Sequence, residues 1–356
     1  MHICLSFGRL HARHNGLGEF ALHLSQNIAT EAHPDIELTV HAEEVFAQWL
    51  HPRFQFQKQK LLNRIGLGGP SGVTVWHTLS QFYKMPPPKS AHSLVTIHDL
   101  NYKYFARPAS QERGRRRILR ALGHHGHLAS ISTFASQDIR ETFTLDQKIN
   151  VVLNGATSLV GMEPAKPKGV LPEPFLFHVS RMSFSKNTAC ILDLIRAWPE
   201  MNFVLAGRKH TDTKRINDTI VSEGLKNAQV LFDIQESEKA WLYQNCAGFL
   251  FPSLTEGFGL PPIEAMHFGK PTFLSRLTSL PEVGGDQAHY LDEFDPASVR
   301  AVIEPAIEPA AASAKSADVV AHAGNFTWAR CARQYLGVYA DMAGVPRESM
   351  VKPNGS

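Results

Sequence analysis

Short apolar runs alternate along this chain with longer stretches whose apolar positions recur at helical spacing. In the first half the runs predict strands at 3–7, 38–41, 73–76, 93–97, 128–131 and 149–152, with helical patterns such as 19–30 and 132–142 between them. The alternation restarts later, with strands expected at 175–179, 202–206, 229–231, 248–251, 271–274 and 288–291, and helices over 187–197, 212–223, 236–245 and 262–268. Such alternation marks an α/β protein with parallel sheets, because parallel neighbours need a crossover and a helix supplies it. The segment EPAKPKGVLPEP at 163–174 separates the two sets; four prolines and no usable period make it a linker. Two Rossmann-like halves joined in this way leave a cleft between them, a usual place for ligands. The Ala/Pro-rich stretch 304–318 reads as a helix pair or a loose surface segment. After it a helical pattern runs to about Met342, and residues from about 346 read as disordered.

Composition narrows this picture without changing it. A chain of 356 residues exceeds one ordinary core and suggests two domains of about 150–200 residues each. Hydrophobic content of 43% with 19% charged residues describes a folded globular protein. No apolar run reaches the length of about 18 residues that a spanning helix needs, and the N-terminus reads as a buried strand, not a signal peptide. Cys4, Cys190, Cys246 and Cys331 lack metal spacing and read as reduced thiols of a cytosolic protein. His124, His125 and His127 have no Cys or carboxylate beside them, so a surface loop or helix face is preferred to a metal site. A net charge of +3 argues against a nucleic-acid binder.

The chemistry concentrates at 251–264, FPSLTEGFGLPPIE, where Glu256 and Glu264 flank a Gly-x-Gly turn that opens into a helix. Gly257 and Gly259 admit a ligand close to the backbone, and the amides of Phe258, Gly259 and Leu260 are available to an anion at the helix start. Two carboxylates beside such a nest suit a ligand carrying hydroxyls as well as phosphate; the plainer reading is a strand–turn–helix junction with solvated glutamates. Arg181 and Lys186, in HVSRMSFSKN, follow a strand end and can converge on a diphosphate. His98 and Asp99 end another strand, where a capped turn would serve as well. Gly16 and Gly18 superficially form Gly-x-Gly-x-x-Ala, but eight residues separate Phe7 from Gly16, too many for a dinucleotide fingerprint. The arginines 113, 115, 116, 117 and 120 form either a solvated helix face or a contact for anionic lipid headgroups.

The stretch 251–295 closely resembles the donor-binding half of retaining glycosyltransferases of family 4, and TIHDL, SISTFASQDI, VVLNGAT and HVSRMSFSKN match further landmarks of that family in order. The resemblance implies an α/β GT-B fold: two Rossmann-like domains whose parallel sheets face a central cleft. It implies an acceptor domain at 1–165, a nucleotide-sugar domain at 166–325 and a final helix at 326–345 crossing back to the first domain. By resemblance Arg181 and Lys186 bind the donor diphosphate, Glu264 the ribose hydroxyls, Glu256 and His98 the transferred sugar, and Asp99 supports His98. Arg208 borders the nucleotide, and Gly16 and Gly18 form a loop near phosphate and acceptor. Ser180 stands where the family usually has glycine, which would set the backbone slightly farther from the phosphates.

The implied activity is a retaining hexosyl transfer, with a mannose-like sugar, from a nucleoside diphosphate to a glycan or lipid-linked acceptor of bacterial surface polysaccharide or lipopolysaccharide. It needs no metal or other cofactor and takes place in the cytoplasm or on the inner membrane face. The alternatives are a GT-B epimerase of nucleotide sugars, a glycoside hydrolase using Glu256 and Glu264, and a non-catalytic glycan-binding protein. The acceptor is expected to be chosen by first-domain loops such as 46–72.

Overall fold

A computed structural model describes residues 1–8, 10, 16–60, 69–83, 85–105 and 107–353. The chain forms two compact units, Met1–Gly155 with Thr327–Ser356, and Ala156–Phe326. Unit 1 holds strands β1 (His2–Ser6), β2 (Glu37–Ala42), β3 (Phe54–Lys58), β4 (Val75–Thr78), β5 (His92–Ile97), β6 (His127–Ser130) and β7 (Ile149–Val151). All pairings described are parallel, in the order β3-β2-β1-β4-β5-β6-β7. Helices α1 (Gly16–Glu31), α2 (Tyr102–Phe105), α3 (Pro108–His124) and α4 (Thr133–Phe143) follow strands. The Ser132 hydroxyl caps α4 by accepting from Ala135 N–H at 3.0 Å.

Unit 2 repeats the design with β8 (Phe175–Val179), β9 (Asn202–Gly207), β10 (Ala228–Phe232), β11 (Gly248–Phe251), β12 (Thr272–Ser275) and β13 (His289–Leu291). The order is β10-β9-β8-β11-β12-β13, again parallel throughout. Its helices are α5 (Thr188–Ala197), α6 (Thr211–Ser222), α7 (Glu236–Asn245), α8 (Leu260–His267), α9 (Leu280–Gly284), α10 (Pro296–Ala306) and α11 (Pro309–Ala323). The strands are Phe-, Leu- and Val-rich because both sheet faces are covered: Phe177, Phe249 and Phe251 pack on the α7 side, Phe203, Leu250 and Phe273 on the α5 and α10 side. In each sheet the order reverses once, between β1 and β4 and between β8 and β11. At such a reversal, neighbouring crossovers run to opposite sides and leave a crevice at the strand ends.

The last long helix, α12 (Trp328–Ala343), is capped by Thr327 and belongs to unit 1, where it packs beside α1. Its arrival is tight: a Cβ on Gly155 would meet Trp328 N at 2.3 Å. Three readings of the sequence need correction. Residues 46–72 contain an element, β3, whose Phe-Gln alternation fits a sheet edge with one face on the core; positions 61–68 of that stretch lie outside the described residues. His125 is buried and holds two elements together, bonding Ala121 O at 2.9 Å and Thr78 Oγ1 at 2.8 Å. Residues 347–353 are ordered, since Met350 is buried and Val351 bridges Ala32. The stretch 304–318 is a helix pair, formed by the end of α10 and by α11.

Candidate active site

In unit 2 the loops after β8 and β11 leave adjacent strands at the topological reversal. The first is built around a buried histidine. His178 Nδ1 donates to Leu250 O (2.8 Å), so Nε2 carries the lone pair and accepts from Ser180 Oγ (2.7 Å). The same oxygen accepts from Met182 N–H at 2.9 Å. Met182 is buried with φ of 53°, a left-handed turn that the serine bridge fastens. Burial, assisted by the charge of Lys186, pushes His178 down to about 4, so the ring stays neutral and its tautomer is set. The turn leaves Arg181 exposed, without an ion pair among the described residues, and brings Lys186 inward over the Phe251 ring.

Lys186 meets Glu256. Its ammonium bonds Glu256 Oε1, which also accepts from Ser253 Oγ at 2.7 Å. Only 13% and 12% of the two side chains are exposed, so each charge relies on the other for what water would supply. Ser185 O stitches the loops together, accepting from Leu254 N (2.8 Å) and Ser253 Oγ (3.0 Å). From the other side Thr278 Oγ1 accepts from Glu256 N at 3.0 Å, and Ser279 Oγ donates to Phe258 O at 2.7 Å. Gly259 then turns the chain into α8 with φ of 120°, a conformation only glycine adopts readily, against Leu280. Among the described residues no backbone acceptor engages the amides of Phe258 and Gly259. Leu260 N–H precedes the helical ladder, and Pro261 and Pro262 have no N–H to offer.

Glu264, on α8, faces α7. Its Oε2 accepts from Tyr243 OH at 2.9 Å and pairs with Lys239 Nζ at 3.1 Å, which also pairs with Glu236 at 3.0 Å. Burial tends to lower Lys239, but the Glu264 and Glu236 carboxylates outweigh it and hold the amine above its ordinary value. Arg208, after β9, is exposed and without an ion pair among the described residues. Lys239, Tyr243, Ser253, Thr278 and Ser279 escaped the sequence reading. The first two had a signal: Glu236, Lys239 and Tyr243 share one helical face.

In unit 1, His98 is buried and edge-on to Phe20. Its Nε2 donates to Leu79 O (2.8 Å), which leaves the lone pair on Nδ1, and burial pushes the ring down to about 4. Gln81 clamps the strand end, accepting from His98 N and donating to Asp99 O. Asp99 Oδ1 caps the turn by accepting from Asn101 N–H at 3.0 Å. Gly16 and Gly18 sit in the first turn of α1, the former exposed and the latter buried. On α3, the arginines 113, 115, 116 and 120 are exposed beside Leu119, and Arg117 lies over the Phe82 ring at 4.3 Å.

Residues 163–318 match the family Glycosyl transferases group 1. They are a group 1 glycosyltransferase domain. It spans nearly all of unit 2, including both loops and α8. Over 226 residues the chain is 31% identical to the serotype-specific mannosyltransferase WbdA of Escherichia coli, a match covering 57% of this chain and 27% of that protein. The chain thus spans about a quarter of the length of that relative. The O-antigen chain mannosyltransferase B of the same organism is 24% identical over 274 residues, 71% of each chain. Among solved structures, a sucrose-phosphate synthase from Thermosynechococcus elongatus superposes with a TM-score of 0.73 at 17% identity, covering 96% of this chain and 99% of that one. Anabaena Alr3699/HepE, solved with UDP and glucose, gives 0.71 at 15% identity, over 96% and 100%. The fold around the group 1 domain is therefore GT-B. Among the described residues no helix is long and apolar enough to cross a membrane.

Proposed function

We infer that the protein is a retaining glycosyltransferase that moves a hexosyl group, mannose in kind, from a nucleoside diphosphate sugar to a glycan or lipid-linked acceptor in surface polysaccharide assembly. The observation that carries this reading is the meeting of Lys186 and Glu256 at the strand reversal of unit 2, beside the amides of Phe258 and Gly259, which no backbone acceptor engages among the described residues. The mannosyltransferase names of the relatives supply the sugar and the acceptor class.

Arg181, Lys186 and the amides at 258–260 neutralise the departing diphosphate, a task these cations can perform without a metal. Glu264 accepts from the ribose hydroxyls through the oxygen left unspent by Lys239 and Tyr243, while Arg208 borders the base. Glu256 contacts the transferred sugar, and within unit 1 His98, Asp99, Gly16 and Gly18 carry the sugar, phosphate and acceptor roles that the family resemblance implies. The bond between C1 and the phosphate oxygen breaks as the acceptor hydroxyl attacks C1 on the same face. A phosphate oxygen of the leaving group takes the acceptor's proton, yielding the glycoside with retained configuration and the free diphosphate. The reaction belongs in the cytoplasm, a reading supported by four buried unpaired cysteines. The arginine face of α3 docks on anionic headgroups, each cation contributing about 1 kcal/mol near such a surface.

The test is a thermal-shift screen with UDP, GDP, ADP and CDP sugars, since a bound donor raises the melting point with its affinity, followed by transfer to an oligosaccharide acceptor. Stabilisation by one base and a product of unchanged anomeric configuration are expected. No response to any of the four, isomerised donor, or free sugar released from a glycan without nucleotide would sink the reading.

A further inference from the structure

Lys239 and Tyr243 lie four residues apart on α7 and both close on the same oxygen of Glu264, Oε2, at 3.1 and 2.9 Å. Oε1 takes no hydrogen bond among the described residues. The arrangement is rigid from both sides. Glu236 holds the Lys239 ammonium at 3.0 Å, and Tyr243 OH also reaches Pro261 O at 3.3 Å. The Tyr243 ring is buried between Phe177, Phe249 and Phe268. A glutamate's terminal torsion is broad when nothing restrains it; here one oxygen is taken twice, so the other has a fixed position.

We propose that Lys239 and Tyr243 are positioning residues for nucleoside recognition. They hold Glu264 so that Oε1 is presented to the ribose, and they thereby set a preference for ribonucleoside over 2′-deoxyribonucleoside diphosphates. The proposal rests on the reading of Glu264 as the ribose carboxylate. Tyr243 keeps its proton and donates it in a hydrogen bond to Glu264, because burial and then the Glu264 charge hold the hydroxyl well above its ordinary value. Lys239 supplies the opposite charge in a place where only 15% of the Glu264 side chain meets water. Without either partner the carboxylate turns toward the one that remains, and the acceptor oxygen loses its fixed place.

The experiment is calorimetry on the full chain, Lys239→Met, Lys239→Arg and Tyr243→Phe, using UDP, GDP, ADP and CDP, their 2′-deoxy counterparts, and inorganic pyrophosphate. The parent chain is expected to bind one ribonucleotide about tenfold more tightly than its deoxy form, the size of one charge-assisted hydrogen bond. Lys239→Met and Tyr243→Phe should narrow that ratio to roughly threefold or less while pyrophosphate affinity holds, and Lys239→Arg should retain it. An unchanged ratio in the first two variants overturns the proposal and leaves the nucleotide reading standing. Equal losses for ribose, deoxyribose and pyrophosphate make the pair scaffold only, which also overturns it. Failure of the parent chain to bind any of the four ribonucleotides overturns the reading beneath it.

Discussion

The two units carry candidate chemistry of opposite character. In unit 1 the polar groups at the strand ends are neutral and sealed: His77, His98 and His125 are buried, each bonded to hydroxyls or carbonyls. In unit 2 one such histidine, His178, is joined by partly open ion pairs, Lys186 on Glu256 and Lys239 on Glu264. A neutral buried histidine is stable only while it stays unprotonated, whereas a buried ion pair is stable only while both members remain. The same sheet topology thus supports two kinds of fragility, one to acid and one to the loss of a partner.

The sharpest way to break that contrast is Lys186→Ala. Turnover should fall by about 10²–10³, as when a preorganised charge partner is removed, and the stranded Glu256 should cost about 3 kcal/mol in urea unfolding. Adding Glu256→Gln should restore much of the stability and none of the turnover; strictly additive stabilities would show that the pair is not coupled. Acid probes the other side. The native state holds His98, His125 and His178 at about 4 and His77 well below its ordinary value, mainly by burial. Unfolded histidine accepts its proton near 6.5, so stability is unaffected above that pH and falls as pH drops from 6.5 toward 4. Each group contributes up to about 1.4 kcal/mol per pH unit. Three of these four lie in unit 1, so hydrogen exchange at pH 5 should speed there first; earlier exchange in unit 2 would reverse the comparison.

Smaller substitutions refine it. Gly155→Ala should cost about 1–3 kcal/mol through collision with Trp328 and be felt in unit 1 alone, which unit-resolved exchange would reveal. Ser180→Gly restores the residue usual in the resembled motif but severs the bridge from His178 to Met182. A loss of about 1 kcal/mol of stability is expected with a modest rise in donor KM; unchanged values for both would make the bridge incidental.

The strands were legible because sheets covered on both faces need nearly continuous apolar runs, and 175–179 and 248–251 were read at the bounds the structure has. β3 was missed because an edge strand buries only alternate residues, and FQFQK offers half the signal. At the site, the carboxylates and cations of 181–264 were visible as a motif. Their partners were not: Thr278 and Ser279 act through a loop beyond the next strand, and no local spacing announces that. The burial of His77, His125 and His178 escaped for a related reason, since it depends on the packing of distant segments.

One consequence follows from where α12 belongs. Unit 2 is a single uninterrupted stretch, 156–326, whereas unit 1 draws on residues both before and after it. During synthesis the later-made unit therefore has all its parts first. The earlier one must hold an unfinished α1 surface until Trp328–Ala343 emerges from the ribosome, and the strand ends bearing His77 and Thr96 wait for Tyr335 and Tyr339 to arrive.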